Sequence, residues 1–214
     1  MKVYALSGLG ADERLFENIE LDVPAELIPL SWISPGNSQT IADYAARILD
    51  HYKPEPGSIL MGVSFGGMII QEMAREMDVH SLVLISTMTS RADLPLAMKT
   101  AAAARIHPIL KKDFLGGLAW LGDKFTSKSN KGRNLFFQMI EDSNPDVLSF
   151  GARAILDWNP PGIQVPYIRI HGDKDRVFPL KKEWNAKIIK GGNHFMIFDK
   201  GEEISGLVDD FLVS

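Results

Sequence analysis

Gly62-Val63-Ser64-Phe65-Gly66-Gly67 lies between an apolar run, Ser58-Ile59-Leu60-Met61, and a segment of helical character over residues 68–77. This order reads as strand, sharp turn, helix. A serine at such a turn is held in a strained backbone conformation, and small residues two places before and after it let strand and helix pass close by. The hydroxyl then projects at the carboxyl end of a sheet, where a base can reach it. Alone, the motif fits a tight turn as well as a nucleophile, so the remainder of the chain decides.

Flanking segments place this turn in an alternating pattern. Val3-Tyr4-Ala5-Leu6 is a nearly continuous apolar run, as expected of a strand buried on both faces, and it ends in Ser7-Gly8-Leu9-Gly10. Glu26-Leu27-Ile28-Pro29-Leu30 reads as a second strand that Pro29 demotes to an edge. Apolar positions at Ile41, Ala45, Ile48 and Leu49 have helical spacing, with Ser38 or Thr40 as the cap. Ser81-Leu82-Val83-Leu84-Ile85-Ser86 is another buried-type strand. Strands alternating with helices predict an α/β fold whose sheet is mostly parallel, with helices on both faces.

The alternation breaks near Thr87 and resumes with a strand over 165–170, a helix over 180–186, a strand at Lys187-Ile188-Ile189 and a closing helix over 201–213. Between them only helical periodicity is found. It includes a helix over 145–158 with Asn144 as cap and Pro145 at the first helical position, where its missing N–H costs nothing. The expected organisation is therefore a core of residues 1–87 and 162–214, with residues 88–161 inserted between two sheet strands as a helical cap. Ala101 to Ala104 reads as helix and residues 126–132 as a polar loop within the cap. Its apolar residues, Leu94, Leu96, Met98, Phe114, Leu118, Trp120, Phe136, Phe137, Met139, Phe150 and Trp158, are expected mostly on inner helix faces, with a few roofing the cleft above Ser64.

Composition narrows the possible partners. A chain of 214 residues, 45% hydrophobic, can bury the core of one globular domain. Its formal net charge of -4 offers no cationic footprint for nucleic acid or an anionic membrane, which leaves small neutral molecules as the natural substrates. With no cysteine, disulfides, thiolate nucleophiles and thiolate-bound metals are excluded. The apolar run after Met1-Lys2 breaks at Ser7-Gly8, short of a signal-peptide core, and no stretch reaches the roughly 18 apolar residues of a spanning helix. A cytoplasmic protein is expected.

A serine hydroxyl needs a base, and the base works best when a third group fixes its tautomer. His171-Gly172-Asp173-Lys174-Asp175 follows the strand over 165–170, and Gly191-Gly192-Asn193-His194-Phe195 follows the last strand. Asp173 or Asp175 and His194 are thereby brought to the same sheet edge as Ser64. Attack on a carbonyl also creates an oxyanion, and backbone N–H groups of the loop after the first strand can meet it beside the N–H of Phe65.

In these three motifs the chain resembles the α/β-hydrolase family, over nearly its whole length outside the cap. The resemblance implies an α/β-hydrolase fold with about six strands, lacking two leading antiparallel strands of the family. It implies Ser64 as nucleophile, His194 as general base and acid, and Asp175, three residues after Gly172, as the orienting carboxylate. It places the oxyanion donors at the N–H groups of Leu9 and Phe65. The chain departs from the family at Ser7, where histidine is usual; the donor is a backbone group, so the change bears on the loop's shape. No metal or organic cofactor is implied.

Competing readings are weaker. Gly8-Leu9-Gly10 lacks the third glycine of a dinucleotide fingerprint, and Glu13 in that place would repel phosphate. Asp173 reads as a solvated or turn-forming carboxylate, His171 as a structural hydrogen-bonding residue, and His51, His80 and His107 as surface residues. The expected activity is hydrolysis of a carboxylic ester or thioester of a small, mostly apolar compound through an acyl-enzyme on Ser64. The alternatives are a hydroxynitrile lyase-type or acyltransferase activity on the same three residues, or a small-ligand binder without turnover.

Overall fold

The computed structural model describes residues 1–103 and 129–213. Six strands, β1 (Lys2–Leu6), β2 (Glu26–Leu30), β3 (Ser58–Val63), β4 (Val79–Ile85), β5 (Tyr167–Gly172) and β6 (Lys187–Ile189), form one sheet in the order β2-β1-β3-β4-β5-β6. Every pairing is parallel. β2 is an edge strand, which is where Pro29 can sit without breaking an interior ladder.

The two-residue period of the strands divides the core into two layers. Tyr4, Leu6, Leu60, Leu82 and Leu84 face one layer, and Val3, Ala5, Ile59, Met61, Val63, Val83, Ile85, Ile168 and Ile170 face the other. Because both faces are buried, β1, β3 and β4 read as continuous apolar runs and not as alternating ones.

Helices α1 (Ile41–Tyr52) and α2 (Phe65–Glu76) cover the first face. The start of α1 is set by a capping box, in which the Thr40 hydroxyl accepts from Asp43 N and the Asp43 carboxylate accepts from Thr40 N. Among the described residues, the α-helices between β4 and β5 are α3 (Leu96–Ala103), α4 (Asn130–Asp142) and α5 (Pro145–Asp157). α5 begins where Asn144 caps Asp146 N and Pro145 takes the first helical position. Its residues Phe150 and Ala154 join the α1/α2 layer, whereas Met139 of α4 joins the opposite one. The one-turn helix α6 (Met196–Asp199) and the closing helix α7 (Gly201–Leu212) complete that second layer. Among the described residues no helix is long and apolar enough to cross a membrane.

Several expectations are corrected. Residues 180–186 form no helix. The backbone makes only a turn, with Trp184 N donating to Lys181 O, because Trp184 is drawn inward. Its indole N–H donates to Asp93 Oδ1 at 2.9 Å, and its ring lies 3.5 Å below the guanidinium of Arg169. Arg169 and Asp93 are themselves a buried ion pair, each 5% exposed. β5 starts at Tyr167 and runs on through His171 and Gly172, so His171 is a strand residue and not a loop residue. Asn130, Lys131 and Gly132 belong to α4 and not to a loop, the helix being capped by Ser129. Leu96 is 77% exposed and so lies on no inner face. Phe114, Leu118, Trp120, Ala104, His107 and residues 126–128 lie outside the described residues.

Candidate active site

Ser64 links β3 to α2 with φ 52° and ψ -114°, a left-handed conformation that costs a side-chain-bearing residue about 1–3 kcal/mol. Three glycines make the turn possible. A Cβ on Gly62 would come within 2.6 Å of the Gly67 backbone, one on Gly67 within 2.6 Å of Thr87, and one on Gly66 would collide with the carbonyl oxygens of Leu6 and Ser7. The turn is held by neighbours on both sides. Ser64 N donates to Ile85 O at 2.9 Å, Gly66 N donates to Ser7 O at 3.1 Å, and the Thr87 hydroxyl donates to Ser64 O at 2.7 Å. The contribution of Thr87 was not anticipated from the sequence, where it is one residue past an ordinary strand end.

The loops after β5 and β6 are joined to each other. Asp173 Oδ1 accepts from Gly191 N at 2.7 Å, and Lys174 N donates to Gly192 O at 2.8 Å. Gly172 and Gly192 are packed so closely that a Cβ on Gly172 would strike the Gly192 carbonyl. Asp173 is thus the turn-forming carboxylate, and Asp175 is left to face His194. Asp175 is 4% exposed, and its Oδ1 accepts from the backbone N–H groups of Val177 and Phe178 at 2.8 and 2.9 Å.

Ser64, His194 and Asp175 form one hydrogen-bonded line. His194 Nδ1 lies 2.8 Å from Asp175 Oδ2, and His194 Nε2 lies 2.9 Å from Ser64 Oγ. An ionised carboxylate can only accept, so Nδ1 carries the ring proton and donates it, and Nε2 is free to accept from the Ser64 hydroxyl. Burial alone would push the Asp175 carboxyl up; the charge of His194 and the hydrogen bonds from His171 and His194 outweigh it and hold the carboxyl well below the usual carboxylate range. Phe178 packs edge-on against the His194 ring with centroids 5.6 Å apart, which limits its rotation.

Leu9 belongs to the loop after β1, and Phe65 follows Ser64 directly in the chain. Phe65 is the first residue of α2, where N–H groups have no acceptor within the helix. The β1 loop lies against the elbow, and a Cβ on Gly8 would be 3.5 Å from Ser64 Cβ. Ser7, which stands where the family usually has histidine, is fully buried, and its hydroxyl donates to Ala11 O at 2.8 Å. Trp32 Nε1–H donates to the same carbonyl at 2.9 Å, so the loop is closed from inside and from above. An aromatic set of Trp32, Tyr44, Phe65 and Phe150 packs beside the elbow.

The model of the alpha/beta hydrolase family matches residues 3–206. AB hydrolase superfamily protein YisY of Bacillus subtilis (strain 168) is 28% identical to this chain over 232 residues, covering 96% of the chain and 78% of that protein. Among solved structures, a thermophilic esterase from Thermogutta terrifontis superposes with a TM-score of 0.78 at 17% identity, covering 100% of this chain and 89% of that one. An esterase from Exiguobacterium antarcticum superposes with a TM-score of 0.78 at 21% identity, covering 100% and 92%. At these identities the two structures speak to the fold alone.

Proposed function

This chain belongs to the alpha/beta hydrolase family, and on that premise we propose that it is a serine hydrolase acting on a carboxylic ester or thioester of a small, mostly apolar compound. The observation that carries the reading is the unbroken line from Ser64 Oγ through both nitrogens of His194 to a buried carboxylate. A structural serine has no need of strained backbone, a base and an orienter together.

In this reading Ser64 Oγ attacks the carbonyl carbon while His194 Nε2 takes its proton. The imidazolium that forms is stabilised by Asp175 Oδ2, which keeps its negative charge. The oxyanion of the tetrahedral intermediate is met by the N–H groups of Leu9 and Phe65, the latter at the positive end of the 12-residue helix α2. When the intermediate collapses, the proton on Nε2 goes to the leaving oxygen or sulfur and the acyl group stays on Ser64. Water, deprotonated by Nε2, then releases the acid. Residues 88–161 would act as the cap over Ser64, and their apolar side chains would favour an apolar acyl group. The two structural neighbours are themselves esterases.

The reading is tested by the pH dependence of hydrolysis of a short p-nitrophenyl ester. A protonated Nε2 cannot accept from Ser64, so the rate should fall at least tenfold as the pH is lowered from about 8 to about 5. A rate that stays flat over that interval would exclude a histidine base.

A further inference from the structure

β5 directs Arg169 and His171 to the sheet face opposite Ile168 and Ile170. His171 is fully buried, yet it is a strand residue with a polar ring. Its Nε2 lies 2.7 Å from Phe178 O and 3.2 Å from Asp175 Oδ2. Both partners accept only, so Nε2 carries the proton and shares it between them. Nδ1 is then a bare acceptor, with no hydrogen-bond partner among the described residues. A second imidazole N–H, directed at Phe178 O, therefore lies 3.2 Å from the Asp175 oxygen that accepts from His194, the residue that contacts Ser64.

We propose that His171 is a positioning residue for the reaction, whose Nε2–H fixes the Asp175 carboxylate and moderates the basicity of the oxygen that accepts from His194. It does so through two contacts at once. Phe178, whose carbonyl takes the other share of the proton, also donates its N–H to Asp175 Oδ1 and packs against the His194 ring. On its far side His171 meets Trp184 edge-on at 4.9 Å, so the ring cannot swing away from Asp175. Among the described residues, few charged and titratable groups face this set. Asp175 and His194 lie within it. Beyond Trp184 is Arg169, paired with Asp93, with Lys181 Nζ 3.9 Å from Asp93. The inference rests on Asp175 and His194 acting as proposed above.

Without the His171 donor, Asp175 Oδ2 would give its full basicity to His194 and hold the imidazolium more firmly. The acidic limb of kcat/KM must then move to higher pH, a shift that simple loosening of the core does not produce. In the full chain carrying His171→Phe, the limb should rise by about half a pH unit or more and kcat should fall about tenfold with KM unchanged. His171→Gln, which keeps an N–H donor, should return the limb to within about 0.2 units of wild type. A folded His171→Phe protein whose limb is unmoved, or a His171→Gln protein shifted as far as His171→Phe, would overturn the proposal. Should His171→Phe fail to fold, 15N-histidine NMR of the wild-type protein provides an independent reading. His171 should be the Nε2–H tautomer; an Nδ1–H tautomer would overturn it. This measurement uses no substrate, so it stands or falls separately from the hydrolase reading.

Discussion

Ser64→Ala should lower the rate of hydrolysis of a short p-nitrophenyl ester by about 10⁴- to 10⁶-fold. The size of the loss follows from the geometry. His194 Nε2 has its partner in Ser64 Oγ at 2.9 Å, and removing the hydroxyl leaves a correctly oriented base with no group to activate. On the proposed mechanism, what survives would come from the N–H groups of Leu9 and Phe65 and from binding alone. The fold should not suffer, since the turn is held by backbone bonds from Ser64 N and to Ser64 O. Ser64→Gly provides the control. It removes the same hydroxyl but relieves the left-handed strain, so it should be as inactive as Ser64→Ala and about 1 kcal/mol more stable. Equal activity in Ser64→Ala and wild type would mean that the serine makes a turn and nothing more.

Gly66→Ala should be the most damaging single methyl in the elbow. The added carbon would meet two carbonyl oxygens, those of Leu6 and Ser7, and neither can yield cheaply. Leu6 ends β1 and Ser7 follows it directly, and β1 is bonded to β2 on one side and to β3 on the other. Nor can α2 retreat, because its first turn is tied to Ser7 by the Gly66 N–H. Overpacking against a braced backbone is expected to cost about 3 kcal/mol or more. For a chain of this length that is a drop in Tm of about 6–12 °C. Activity should fall with it, since the displaced backbone carries the Leu9 N–H. A Tm within about 1 °C of wild type, measured by thermal unfolding, would show that the close approach of elbow and β1 is not needed.

The same features explain how much could be read in advance. The interior strands β1, β3 and β4 were legible because burial on both faces leaves a continuous apolar run, and the elbow was legible because only glycines fit at positions 62, 66 and 67. The loops after β5 and β6 each follow a strand of a parallel sheet, which brings His194 and both Asp173 and Asp175 to the rim of Ser64; the choice of Asp175 rests on the family resemblance. Residues 180–186 misled because Leu180 and Trp184 have helical spacing. What decides that segment is a hydrogen bond from Trp184 to Asp93, 91 positions away, together with the Arg169 side chain. His171 was read as a structural hydrogen-bonding residue, and its bond to Phe178 O fits that reading. Its nearness to Asp175 Oδ2 was not legible, because it arises from the turn just after β5, in which Asp175 N donates to Gly172 O at 3.2 Å.

On the proposed mechanism Ser64 becomes covalently bonded to the substrate's acyl group. Intact-mass measurement after treatment with a fluorophosphonate tests it most directly, because such reagents trap a serine activated by a neighbouring base. The wild-type chain should gain the mass of one phosphonyl group, and Ser64→Ala should gain none under the same conditions. An unlabelled wild-type chain, or equal labelling of the two proteins, would contradict the account.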